Sequence, residues 1–391
     1  MREEIFHIID NLYDEMVQLR REFHMYPELS FKEVNTAKKI AAYQRGLGLD
    51  VQENVGGNGI VATLRGAKPG KTVAIRADFD ALPITEENEV PYKSKNPGVM
   101  HACGHDAHTA IALGISKALV QQKDQLAGNI VFIHQHAEEE DPGGAKSMIE
   151  AGALEGVDAI FATHMENYIP VGHIWHSDEY ILGASDDFEI TINGLGGHGA
   201  FPQDTTDVVA IGAQLVSNLH QVISRKVDPL KSAVLTIGAF QAGQKANVIS
   251  GEGRLEGTVR TFDEQVRLDV ANWVKQISEH TCKAFGASCE IDYQFGYPAT
   301  KNDKEMNQLL INAAKDVIPE KNIQKMEPNM GAEDFSYFTK KIPGSYFFTG
   351  SANESKGCIY PYHHPKFDID EEALRNGAKV LAAAALDFLN K

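Results

Sequence analysis

No apolar run in this chain approaches the roughly 18 residues that a membrane span needs, so nothing in it reads as a bilayer anchor. Cysteine is scarce. Cys103, Cys282, Cys289 and Cys358 are the only four, and their spacing fits no short disulfide framework. Disulfides are not expected, and a reducing compartment, the cytoplasm, suits that usage. Basic residues are outnumbered, 37 Lys and Arg against 54 Asp and Glu. The resulting net charge of -17 excludes a nucleic-acid surface. Internal repeats and low-complexity segments are missing as well. The opening Met1-Arg2-Glu3-Glu4-Ile5 leads at once into an amphipathic pattern with Ile8, Ile9, Leu12, Met16 and Leu19, which reads as helix and not as a secretory leader.

What is present suits a two-domain protein. At 391 residues the chain exceeds one ordinary core, and its 43% hydrophobic content is enough to fill two. Residues 1–184 alternate helical stretches, such as Asn35 to Gly46 and Ala107 to Gln122, with apolar strands at Ile60 to Leu64, Thr72 to Ile75 and Asn129 to Ile133. That texture predicts an α/β domain, a mixed sheet flanked by helices. Over 185–297 it changes to alternating strands (Phe188 to Ile192, Ala233 to Ala239, Gly253 to Arg260, Cys289 to Phe295) with two longer helices, Asp207 to Ser224 and Glu264 to Ala284. This predicts an inserted α+β domain, an antiparallel sheet with two helices on one face. Residues 298–391 return to helix and strand and complete the first domain. A strand such as Phe188 to Ile192 or Ala233 to Ala239, if it lies at a sheet edge, is a route to a homodimer or larger homo-oligomer, with the inserted domain acting as lid and dimerisation unit.

Donor side chains gather at four places. Met100-His101-Ala102-Cys103-Gly104-His105-Asp106-Ala107-His108 holds a thiol and three imidazoles in nine residues. A sharp turn at Gly104 can aim Cys103 and His105 at one point, as a zinc-like ion requires; a buried thiol beside surface histidines is the plainer reading. After the apolar run ending at Ile133, the chain breaks into His134-Gln135-His136-Ala137-Glu138-Glu139-Glu140-Asp141. Acids at the carboxyl end of a strand suit a hydrolytic metal site, although a run of four acids is also what a solvated loop looks like. Val157 to His164 is another apolar run ending in histidine, and Tyr362-His363-His364-Pro365 closes the series. Each histidine alone is weak evidence of ligation; four clusters at strand ends or turns carry more weight together.

Ordered motifs over nearly the whole chain then give a resemblance. They are Arg21-Glu22-Phe23-His24, Pro27-Glu28-Leu29-Ser30-Phe31, Arg76-Ala77-Asp78-Phe79-Asp80-Ala81-Leu82-Pro83, His101 to Asp106, Ala137-Glu138-Glu139, Gly196-Gly197-His198, Asn247-Val248-Ile249, Gly257-Thr258-Val259-Arg260, Gly331 to Phe335 and His363-His364-Pro365. The chain resembles metal-dependent amidohydrolases of the aminoacylase and carboxypeptidase superfamily, in the branch of hippurate hydrolases, N-acyl-amino-acid deacylases and auxin-conjugate hydrolases. The resemblance implies ligation of two divalent metal ions per subunit, zinc or manganese, by Cys103, His105, Glu139, His164 and His363. It implies Glu138 as general base and acid, Asp80 as support behind the ligands, and His198 as an oxyanion donor acting across a dimer interface. Asn247 is similar to a substrate contact of the same smaller domain.

The chain also departs from the pattern. Glu140-Asp141-Pro142 intervene before Gly143-Gly144, His136 stands where proline is frequent, and Gln203 follows Phe201-Pro202 where histidine is common. A more acidic loop favours harder ions such as manganese and disfavours anionic ligands. The expected function is hydrolysis of the amide of N-acyl amino acids. Alternatives are a dipeptidase or aminopeptidase acting on a short peptide with a free amine, and a binding protein that keeps the fold without turnover.

Overall fold

Eight strands form the larger sheet, and the four central ones run parallel because helical crossovers join them. The computed structural model describes all 391 residues. Across the sheet the order is Asp50–Val55, Gly59–Arg65, Ala127–Gln135, Lys68–Asp78, Ala159–Pro170, Gly344–Ala352, Ile174–His176 and Ile323–Lys325. Lys68–Asp78 pairs in parallel with both Ala127–Gln135 and Ala159–Pro170, and the latter pairs in parallel with Gly344–Ala352. Gly59–Arg65 is antiparallel to its neighbours, so the sheet is mixed. Central strands buried on both faces read as continuous apolar runs, and Ile75, Phe132, Phe161 and Phe347 all lie in one core with Leu113 and Leu381 of the packed helices.

The helix His105–Val120 begins two residues before the expected Ala107. Gly104, at φ +96, makes the entry turn that allows this. All but two of its 16 residues are buried, so it is a core helix and not a surface one. The last helix, Glu372–Leu389, is buried through Ala382, Ala383, Ala384 and Ala385, whose small side chains suit close packing. No helix is long and apolar enough to cross a membrane.

Contacts divide the chain into one unit of Met1–Ile181, Lys301–Glu327 and Asp334–Lys391, and a second of Leu182–Thr300 and Pro328–Glu333. The expected boundaries, 184/185 and 297/298, each lie three residues inside these. The segment Pro328–Glu333 carries no sequence signal for the second unit. It is tied there by hydrogen bonds: the Gly183 N–H donates to the carbonyls of Asn329 and Gly331 at 3.0 and 2.8 Å, and the Thr300 hydroxyl donates to the Glu333 carbonyl at 3.3 Å.

In the second unit the strand order is Ala233–Ala242, Glu252–Thr261, Ala184–Asn193 and Ser288–Phe295, all antiparallel. Ala184–Asn193 alternates buried and polar positions, which directs Phe188, Ile190 and Ile192 into a core with Leu215 and Leu219 of Val208–Arg225 and Val270 and Val274 of Glu264–Ala284. Asp207 and Asp263 cap those helices by accepting N–H bonds in the first turn. Of the two strands considered as a possible free edge, the one carrying Phe188 to Ile192 is central, with both of its sides already paired. Ala233–Ala242 does lie at an edge.

Candidate metal centre

The donors collect where the parallel strands of the first unit end, as ligands do in open α/β sheets. Lys68–Asp78 delivers Asp78 and, two residues on, Asp80. Ala127–Gln135 delivers Glu138 and Glu139, and Ala159–Pro170 carries His164 opposite Phe348. The turn at Gly104 separates Cys103 from His105. His363 adopts a left-handed φ of +65, and its N–H donates to the Ala102 carbonyl at 2.7 Å, tying the last donor loop to the first. Left-handed backbone at a non-glycine residue costs on the order of 1 kcal/mol or more and concentrates at functional sites.

Five side chains singled out in the sequence lie together. Cys103 Sγ is 3.3 Å from His164 Nε2, and His363 Nε2 is 3.3 Å from Glu139 Oε2. His105 Nε2 lies 3.8 Å from Glu139 Oε1 and 3.9 Å from Glu138 Oε2. Donor atoms of Cys103, His105 and His164 fall within 4.8 Å of one another, and so do those of Cys103, Glu139 and His363. Cys103 is common to both groups, so its thiol would be within reach of two neighbouring cations. Glu138 is only 6% exposed, whereas Glu140 and Asp141 face solvent; the acidic run is therefore half site and half solvated loop.

Hydrogen bonds select the free lone pairs. His164 Nδ1 donates to the Met165 carbonyl at 2.7 Å, and His105 Nδ1 to Asp80 at 3.1 Å, leaving each Nε2 as the ligating nitrogen. His105 Nε2 and Glu139 Oε1 are buried without a hydrogen-bond partner, a costly state that a bound cation removes. Charge points the same way. Burial works against a charge on His105, yet Asp78, Asp80 and Glu139 outweigh it and push the imidazole up to about 10. Burial, followed by Glu139 and Glu138, pushes the Cys103 thiol well above its ordinary value. Burial, aided by His108 and His105, holds His164 neutral. The cluster is an anion-rich hole, largely buried apart from the half-exposed His363, that holds protons where a dication would displace them. These residues fit a divalent metal pair.

Of the surrounding layer, only Asp80 was named from the sequence. Burial would raise Asp78, but Arg76, His105 and His108 hold its carboxyl well below the usual range. Arg76 also reaches Gln135 at 2.8 Å and Asp334 at 3.0 Å. His108 binds Asp78 at 2.6 Å through Nδ1 and accepts the Met165 N–H at 2.9 Å through Nε2, so neither nitrogen is available as a ligand. His101 is buried and pushed down to about 4 by that burial. Asp80 is divided between two partners, with Oδ1 on His105 and Oδ2 accepting the Glu139 N–H at 3.0 Å and the Ser30 hydroxyl at 2.7 Å. Glu33 is fully buried and accepts the Ala137 N–H at 2.8 Å. The period-two spacing of Arg76 and Asp78 was a signal for the first of these pairs. Nothing local marked Glu33, 104 residues from its partner.

His198 and Asn247 lie in the second unit. The ribbon pairing Val248 with His198 brings them together, with the Gly199 N–H donating to the Asn247 carbonyl at 2.9 Å; both side chains are exposed.

A family model, peptidase family M20/M25/M40, matches residues 74–387. The chain is 41% identical over 392 residues to thermostable carboxypeptidase 1 of Saccharolobus solfataricus, covering 100% of this chain and 99% of that one. It is 45% identical over 304 residues to the N-acyl-L-amino acid amidohydrolase of Geobacillus stearothermophilus, covering 78% and 82%. Among solved structures it resembles the Bacillus subtilis YXEP protein, described as a dinuclear metal-binding peptidase of the M20 family. That match has a TM-score of 0.86 and 34% identity, over 98% of this chain and 99% of the other. With its donor cluster at the strand ends, the chain belongs to peptidase family M20/M25/M40 and is a metal-dependent hydrolase of carbon–nitrogen bonds.

Proposed function

We propose that this enzyme hydrolyses the amide bond of N-acyl amino acids, with Cys103, His105, Glu139, His164 and His363 as the residues that would hold two divalent ions, zinc or manganese. The observation that carries this reading is the buried carboxylate of Glu138 at the strand end, next to two donor groups that share one thiol. When bound, such ions polarise a carbonyl and lower the pKa of water from about 16 to about 7. Glu138 takes a proton from the attacking water as its oxygen bonds to the amide carbon. The C–N bond then breaks, and Glu138 returns the proton to the departing nitrogen, giving a carboxylate and an amine. Asp80 fixes the His105 tautomer and anchors the Glu139 peptide. His198 of the partner subunit is assigned to the developing oxyanion and Asn247 to substrate contact, in a homodimer or larger assembly. The edge strand Ala233–Ala242 is the candidate joint; a sedimenting species of one chain, 42.9 kDa, would remove this part of the reading. A cytoplasmic location is the reading that cysteine usage supports.

Peptide hydrolysis is the second reading. Exposed Glu140 and Asp141 attract a free α-amine, and two relatives are named carboxypeptidases. The test is a matched pair, an N-benzoyl or N-acetyl amino acid against an unblocked dipeptide, with metal-stripped enzyme reloaded with zinc or manganese. Metal-dependent cleavage of the blocked substrate supports the deacylase reading. Cleavage of the dipeptide alone moves the assignment to peptidase, and no turnover with either metal sinks both.

A further inference from the structure

Ala137 stands between the end of the strand Ala127–Gln135 and the Glu138-Glu139 pair, and its backbone is left-handed, φ +50, without being glycine. Such a residue drifts back to ordinary φ, at a gain on the order of 1 kcal/mol, unless its surroundings fix it. Two hydrogen bonds do so. The Gly144 N–H donates to the Ala137 carbonyl at 3.0 Å, and the Ala137 N–H donates to Glu33 Oε1 at 2.8 Å. The second oxygen of Glu33 accepts from Asn58 Nδ2 at 3.0 Å. Glu33 lies just before the helix Val34–Gly46 and has no accessible surface. On the far side of Glu138, Asp80 Oδ2 accepts the Glu139 N–H at 3.0 Å. Glu138 is thus bracketed: two buried carboxylates grip the peptides at 137 and 139, and its own side chain is directed by the bend between them.

We propose that Glu33 is a positioning residue for the general base, acting as the acceptor that holds the Ala137 peptide and so sets the direction in which Glu138 leaves the strand. This rests on the reading of Glu138 as base. The requirement is for an acceptor at the right distance, not for a charge. Glutamine supplies the same oxygen at the same reach, and Asn58 can turn its amide oxygen to the new NH2. Aspartate keeps the charge but withdraws the oxygen by one methylene. A misplacement of about 1 Å at a reacting group costs on the order of a hundredfold in rate.

The test is steady-state hydrolysis of an N-acetyl amino acid by metal-loaded full-length enzyme carrying Glu33→Gln, Glu33→Asp or Glu33→Ala, with bound metal measured in each and Glu138→Gln as reference. We expect Glu33→Gln to stay within about threefold of wild-type kcat, Glu33→Asp to lose roughly tenfold and Glu33→Ala roughly ten- to a hundredfold. KM and metal content should be nearly constant throughout. The Gln and Asp variants preserve volume well enough to report even if the Ala variant does not fold. Aspartate more active than glutamine would show that charge is what matters and overturn the proposal. Unchanged kcat in Asp and Ala, or losses that follow lost metal, would overturn it too. If Glu138→Gln itself turns over normally, the reading of the base has failed and Glu33 loses its object; an inactive Glu138→Gln beside fully active Glu33→Asp and Glu33→Ala faults Glu33 alone.

Discussion

At the scale of single residues, Cys103 is the proposed donor whose thiol belongs to two of the donor clusters at the site. Serine there offers a weaker, harder ligand of similar size. Cys103→Ser is expected to bind fewer than two ions per chain, read by elemental analysis after dialysis; a full two-ion load would exclude the thiolate as shared ligand. Glu33 gives a second, independent observable. Burial raises its carboxyl from 4.5 to about 7. The folded state therefore keeps a proton that the unfolded chain releases near 4.5. Stability contributed by the protonated group is complete below about 4.5, falls with rising pH at up to about 1.4 kcal/mol per unit, and is lost above about 7. Glu33→Gln should flatten the wild-type decline between pH 5 and 7 in denaturant titrations. Parallel curves for the two proteins would contradict the assignment. All six proposed donor and base positions were named from the sequence, by short motifs and the resemblance together, since each lies in a short local motif. Their supporting partners could not, because Glu33, Asp78, His108 and Asp334 reach the site by folding and not by adjacency.

At the scale of elements, Gly104 links the Cys103 turn to the helix His105–Val120. Its φ is +96, and a Cβ there would lie 3.0 Å from Met165 Cβ. Gly104→Ala is expected to cost about 1–3 kcal/mol of stability and to lower metal affinity, because the turn that aims Cys103 and His105 must open. A variant with unchanged Tm and metal binding would show the turn to be adaptable. Strand and helix positions were predicted well where the hydrophobic period was long: Glu264–Ala284 was placed to the residue, and Val34–Gly46 to one residue at its start. Ends were missed where tertiary contacts extend an element. The run read as Val157 to His164 continues to Pro170, since Gly344–Ala352 pairs alongside it, and this puts His164 within a strand instead of at its tip. Which strand lies at a sheet edge was also undetermined, because alternation shows which face is buried and not which neighbour pairs.

At the scale of the whole molecule, metal and folding are linked. Ions that bind the folded but not the unfolded chain stabilise it by about 2.7 kcal/mol at a hundredfold excess over Kd. Chelation should then lower the Tm by roughly 5–10 °C, at about 2–4 °C per kcal/mol for a unit of this size, with zinc or manganese restoring it. A Tm indifferent to chelator in calorimetry would count against the donor cluster as a metal site. By itself the sequence determined the class of fold, the inserted antiparallel unit, and the donor types available to a metal, because period, composition and short motifs are local properties of a chain. Only the tertiary structure decided which nitrogens stay free, which acids are buried beside the thiol and which are solvated, and what holds Ala137 in its bend. Those depend on groups far apart in the chain, such as Arg76 and Asp334, 258 residues apart, meeting in a dry interior where every polar atom needs a partner.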